Sequence, residues 1–139
     1  MKFRIALVTL GLGLAAAGCT PAGTGLMPDP SEWAVTWIDG AALPEGSDAS
    51  VSLANGEIVF RGGCNSFMGL RRDPASGVIS GPAQLGATMM ACPQAQMALD
   101  DALGAALRRV DGTAIPVGQK EGSIALTSGG RAVVVLAPI

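Results

Sequence analysis

The run Gly62-Gly63-Cys64-Asn65-Ser66-Phe67-Met68-Gly69 organises this sequence, followed further on by Thr88-Met89-Met90-Ala91-Cys92. Two consecutive glycines permit positive φ angles and close backbone approach, and the Asn65 amide is able to bond nearby backbone as a turn stabiliser. The run therefore reads as a place where the chain bends or packs closely, with Asn65 and Gly69 in structural roles. Phe67 and Met68 are assigned to the core beneath that turn, with display on its surface as the alternative.

Upstream of the turn, Ser50–Ala54 and Glu57–Arg61 flank Asn55-Gly56. Asn-Gly between apolar-alternating arms is a strong hairpin signal, because a type I′ turn needs two positive φ angles. Val51 and Leu53 share one face of the first arm; Ile58 and Phe60 share one face of the second. Earlier still, Trp33, Val35 and Trp37 alternate in Trp33–Ile38, the period of a half-buried strand, and Asp39-Gly40 ends it.

Downstream, Met68–Arg71 and Val78–Ser80 flank Asp73-Pro74-Ala75-Ser76-Gly77 as a second hairpin, and Gln84–Met90 reads as extended chain. The period then changes. Between Pro93 and Val110, Leu99, Leu103, Ala106, Leu107 and Val110 fall on one helical face. Pro93 suits the first turn and Gly112 the end. Gly104 costs about 1 kcal/mol against Ala inside a helix, which suggests close packing on a sheet. The last third returns to strands: Ala114–Val117, then Ser123–Thr127 and Arg131–Leu136 around Ser128-Gly129-Gly130. Val133-Val134-Val135 lacks alternation and reads as covered on both faces. The fold class expected is α+β, mostly antiparallel: a curled sheet or partial barrel of short strands packed with one α-helix.

The other end of the chain carries an address. Met1-Lys2-Phe3-Arg4 is basic, and Ile5–Ala17 is an uncharged apolar run. Its length falls within the ~7–15 residues of a signal-peptide core and short of the ~20 needed to span a bilayer. Ala16-Ala17-Gly18-Cys19 follows and resembles the lipobox of bacterial lipoproteins. That resemblance implies acylation of the Cys19 thiol, cleavage before it, and acylation of the new amine. Each buried CH₂ contributes about 0.8 kcal/mol, so two or three chains anchor stably where one does not. Thr20 in place of Asp after the cysteine implies sorting to an outer membrane, with the domain facing the periplasm. The expected organisation is a signal peptide at 1–18, a lipidated flexible tether at 19–31 rich in Pro, Gly and Thr, and one domain at 32–139.

Composition narrows the chemistry. Loss of Lys2 and Arg4 takes the formal charge from −2 to −4, and no basic stripe with interleaved aromatics suggests nucleic acid. The chain has no histidine and no tyrosine. Ser-His-Asp and Cys-His catalysis are thereby excluded, and the commonest zinc ligand is missing. Neither a cofactor nor a metal is expected.

The two opening stretches, taken together and in order, resemble the META domain, a family that includes heat-shock lipoproteins of the HslJ type. Its pattern is an early Trp strand, a Gly-Cys-Asn-x-Phe-x-Gly turn, and Thr-x-Met-x-Cys leading into a single helix and a final hairpin. Gly63, Cys64, Asn65, Phe67, Gly69, Thr88, Met90 and Cys92 match it, within an order that runs from about Trp33 to Pro138. Leu70-Arg71 stands where a Tyr is frequent, and the helix opens without the usual Glu and aromatic. The resemblance implies an envelope lipoprotein domain with no established enzymatic activity, linked in some members to stress or antibiotic tolerance.

With Cys19 acylated, Cys64 and Cys92 are the remaining thiols. An even remainder outside the cytoplasm suggests a disulfide closing a loop of about 29 residues, worth ~3.6 kcal/mol in the chain-entropy account. A neighbouring pair of reduced thiols is the alternative. Among carboxylates, Asp100 and Asp101 are adjacent, point apart on a helix and are assigned to a solvated face; Glu57 lies on a hairpin arm and Asp73 in a turn. The reading of function is a non-catalytic module, anchored at Cys19, that binds an envelope protein or another envelope component. A pilot-type factor escorting an outer-membrane protein is the first alternative, and a carboxylate-based hydrolase the second.

Overall fold

The computed structural model describes residues 27–139. The signal peptide, Cys19 and the first part of the tether lie outside the described residues. The elements, in chain order, are β1 (Ser31–Ile38), β2 (Ala41–Ala42), β3 (Ser50–Ala54), β4 (Glu57–Arg61), β5 (Ser66–Arg72), β6 (Ile79–Ser80), β7 (Gly86–Ala87), α1 (Gln94–Leu107), β8 (Gly112–Ala114), β9 (Ile124–Ser128) and β10 (Arg131–Pro138). Every strand pairing is antiparallel. The order along the sheet is β6-β5-β4-β3-β1-β10-β9-β8, with β2 added to β1 and β7 to β5. The sheet curls into a nearly closed barrel, and its two ends approach where Gly81 lies directly against the Val110 carbonyl.

The hairpin around Asn55-Gly56 forms as the sequence indicates, with φ of 53° and 74° at the two turn residues. Ser50↔Arg61 through Ala54↔Glu57 pair without a slip, so Val51, Leu53, Ile58 and Phe60 all reach the interior. The first strand differs from its expected alternation. Trp33 and Val35 are buried, but the register against β10 shifts between Val35 and Trp37. One extra residue rotates the strand, Ile38 takes the next interior position, and Trp37 is left half-buried.

Four expected boundaries move. Residues 27–31, assigned to the tether, belong to the domain: Met27 is fully buried, and the Asp29 carboxylate accepts the main-chain N–H groups of Asn55 (2.9 Å) and Gly56 (2.6 Å). Only Gly86–Ala87 of the extended piece 84–90 pairs as a strand. The helix stops at Leu107, short of the expected Val110. Arg109 and Val110 donate to carbonyls three residues back, which tightens the last turn, and the Asp111 N–H already bonds the Thr127 carbonyl of β9. Gly112 therefore opens β8, which ends at Ala114, and Ile115 and Val117 are exposed instead of continuing the strand.

The helix lays Leu103, Ala106 and Leu107 into the barrel mouth among Phe60, Leu70, Ile79, Ile124 and Leu136. Val133, Val134 and Val135 are all buried. This agrees with the missing alternation, although on the outer side Val135 shares an open cavity with Trp37, Ala125 and Thr127 rather than lying under a packed layer. No helix among the described residues is long and apolar enough to cross a membrane.

Candidate functional site around Asn65

Beyond β4 the chain crosses under α1 before starting β5, and there Gly63 permits the contact. A Cβ on Gly63 would sit 2.7 Å from the Gln96 carbonyl oxygen and 2.8 Å from its Cα. Two residues on, Asn65 is buried with 6% of its surface exposed. Its Oδ1 accepts from the Met90 N–H at 2.7 Å and the Thr88 hydroxyl at 3.0 Å, and its Nδ2 donates to the Met90 carbonyl at 3.3 Å. The side-chain amide thus pairs with Met90 as a neighbouring strand's peptide would. Thr88 extends the arrangement, since its Oγ1 accepts the Ser66 N–H at 2.9 Å and its own N–H bonds the Ser66 carbonyl at 3.0 Å.

Beneath Asn65 lies Asp100. The expectation of a solvated face holds for Asp101, which is exposed, and fails for Asp100, of which only 4% is exposed. Asp100 Oδ2 accepts the Asn65 main-chain N–H at 2.9 Å and its Nδ2 at 3.0 Å, while Oδ1 accepts the Cys64 N–H at 3.3 Å. Three charge-assisted bonds offset the desolvation of a carboxylate that forms no ion pair among the described residues. Asp100 is the only buried charged side chain among the described residues. Its spacing carried a signal: positions 100, 103 and 107 recur three and four apart, so an acidic residue lies on the buried stripe of the helix.

Cys64 and Cys92 are joined in the structure, with Cα atoms 6.3 Å apart, within the usual span of a disulfide. The two expected motifs therefore meet in one place: Cys64, Asn65 and Phe67 from the first, Thr88, Met90 and Cys92 from the second. Gly63 and Gly69 serve the same junction from its flanks. Gly69 takes a φ of 132°, and a Cβ there would approach the Gln84 carbonyl to 2.7 Å. Phe67 and Met68 part company. Phe67 is buried against Gly104, where a Cβ would meet its ring at 3.0 Å, so the helix glycine does serve close packing on the sheet; Met68 is 38% exposed on the other face.

A groove of about 430 Å³ opens beside this junction. The segment Ala87–Ala91 makes one wall, and Met97, Asp101, Gly104 and Arg108 of the helix region make the other, over a floor that includes Phe67 and Asn65. Met89 is 94% exposed and Met90 59%. The chemistry on offer is adaptable apolar contact with charge at the margin; the one buried carboxylate has its oxygens occupied by N–H donors. No group of three or more His, Cys, Asp or Glu side chains that could hold a metal occurs among the described residues.

The profile of the META domain family matches residues 27–138. No curated protein matches the chain. Among solved structures, the NMR structure of a protein from Burkholderia xenovorans is similar, with a TM-score of 0.56 at 21% sequence identity, covering 100% of this chain and 95% of that one. At that identity the likeness bears on the fold alone.

Proposed function

Because the chain belongs to the META domain family, we propose that it is a non-catalytic domain of the bacterial envelope, anchored through lipid on Cys19, that works by binding. The observation that carries the binding reading is the groove beside Asn65. Two exposed methionines, Met89 and Met90, line it, and thioether side chains form surfaces that adapt to more than one apolar shape. The address rests on Lys2 and Arg4, the apolar run and Ala16-Ala17-Gly18-Cys19. An anchor raises the local concentration of the domain at a surface, so that modest affinity suffices. The outer membrane, periplasmic side, is the assigned location on the strength of Thr20.

The groove also favours a second reading, a pilot-type factor that holds an outer-membrane protein during assembly. Such a factor needs an apolar surface for an unassembled chain, and a groove bounded by Phe67, Met89 and Met97 supplies one.

The test is Cys19→Ser together with labelled palmitate. The parent chain should take up label and fractionate with membranes, while Cys19→Ser should persist as an unlabelled precursor. Equal membrane sorting and processing of both chains would overturn the anchor.

A further inference from the structure

We infer that the free edge of the Gly86–Met90 segment is a docking site for an extended, apolar peptide segment ending in a free carboxylate, which adds to the sheet beside β7 and places its terminus on Arg108.

The edge is defined by register. Phe67↔Ala87 and Met68↔Gly86 pair β7 with β5, and the ladder continues as the Thr88 N–H bonds Ser66 and the Met90 N–H bonds the Asn65 side chain. In an extended strand, alternate residues direct their main-chain groups to opposite edges. Thr88 and Met90 turn theirs toward β5 and Asn65, so Ala87 and Met89 present N–H and carbonyl groups to the other side. Among the described residues no strand pairs with that side of β7. An open edge is the feature that strand addition uses: main-chain hydrogen bonds give affinity, and pockets for alternate side chains give selectivity.

The chemistry of the occupant follows from the groove alongside. Its floor takes apolar side chains, and the exposed methionines can close over them. Arg108 supplies the cation; Asp101, the exposed acid of the same wall, lies about 10 Å away along the helix, so a carboxylate belongs at the Arg108 end. The Arg108 guanidinium folds back over Gly104, where a Cβ would lie 3.6 Å from Nη1 and 3.0 Å from the Phe67 ring. The basic partner of the described ion pair is its neighbour Arg109, held by Asp39, while Arg108 pairs with no carboxylate among the described residues. A guanidinium at the edge of an apolar groove is matched by a carboxylate, which it can bind through two parallel hydrogen bonds. A peptide C-terminus provides that carboxylate at the end of an otherwise apolar strand. This inference rests on the binding reading above and names its partner's chemistry.

The experiment uses the lipidated protein in lipid nanodiscs. The probe is a fluorescent pool of synthetic nonapeptides, apolar at alternate positions, with a free C-terminal carboxylate, beside the same pool amidated. Fluorescence anisotropy should show saturable binding of the free acids and about tenfold weaker binding of the amides, the loss of one charge-assisted contact. Arg108→Gln should abolish that difference. Ala87→Pro deletes one outward N–H while sparing the bonds of Thr88 and Met90, a change an edge strand tolerates; with an unchanged melting temperature, it should weaken both pools. No binding of the free-acid pool at millimolar concentration overturns the proposal, as does equal binding of acids and amides by the parent chain. Laurate displacing the pool at concentrations below those of the peptides would assign the groove to small amphiphiles instead. Crosslinks from position 89 to a second copy would assign it to self-association. None of these outcomes touches the anchor, which is read separately by palmitate label at Cys19.

Discussion

Asp100 Oδ2 accepts two hydrogen bonds from a single residue, Asn65: one from its main-chain nitrogen at 2.9 Å and one from its side-chain amide at 3.0 Å. Asn65 in turn holds Met90, and the disulfide ties Cys64 to Cys92 on the same two segments. One helix carboxylate therefore supports the junction of both sequence motifs. Removing it strands N–H donors in a buried place, so Asp100→Ala should cost about 2–4 kcal/mol. Calorimetry should show a Tm lower by about 10–15 °C. An unchanged Tm would mean that water replaces the carboxylate and that the node contributes little.

Asn65→Ala should lower stability by about 2–3 kcal/mol, because the Met90 N–H and carbonyl lose their partner together. Asn65→Asp should be at least as damaging at neutral pH. It replaces a donor to Asp100 with a second carboxylate, and like charges in contact oppose joint ionisation. Stability of this variant should recover as the pH is lowered and one of the two groups takes a proton. Urea titrations at two pH values separate these outcomes; an Asn65→Asp chain as stable as the parent at neutral pH would contradict the hydrogen-bond assignment.

The Cys64–Cys92 bond closes a segment of 28-residue separation that includes β5, β6 and β7. Its loss, by Cys64→Ser with Cys92→Ser, should cost roughly 2–4 kcal/mol, chiefly by freeing the unfolded chain. Peptide mapping without reductant should recover the two cysteines in one linked pair. Recovery of both as alkylated thiols would favour the reduced alternative.

Asp73 should titrate below its ordinary value near 3.8, because its Oδ1 accepts the N–H groups of Ser76 and Ala75, each at 2.8 Å. A carboxylate whose folded pKa is depressed stabilises the fold above the unfolded pKa, and that contribution is lost as the pH falls through the folded pKa. The loss thus belongs to the region below about pH 3.8. Carboxyl-carbon NMR titration of Asp73 measures it directly, and a midpoint at or above the ordinary value would refute the turn geometry.

Gly63→Ala should destabilise by about 1–3 kcal/mol, since the added Cβ meets main-chain atoms of Gln96 that cannot rotate away. Comparison with Ala substitution at an exposed helix position such as Gln94 isolates the effect. Equal melting temperatures would show that the crossing under the helix has slack.

Much of the fold was legible in local chemistry. Asn55-Gly56 specified its hairpin because only a narrow set of residues accepts two positive φ angles, and the four apolar residues on its arms then had one way to face inward. Leu103, Ala106 and Leu107 specified which side of the helix meets the barrel. The motif residues indicated where the chain must come close, though not what it comes close to. Trp37 shows the limit on β1: strict alternation placed it inside, and the bulge against β10, which depends on the partner strand, placed Ile38 there instead.

The mixture of short antiparallel strands with one helix, the sharp turns, and the exclusion of histidine-based chemistry could all be read along the chain, because they depend on composition or on residues near one another. The burial of Asp100, the strand-like pairing of Asn65 with Met90, and the open edge of β7 beside Arg108 could not. Those properties belong to pairs of segments distant in sequence. Their energies exist only once the barrel has curled and brought helix, turn and edge to the same few ångströms.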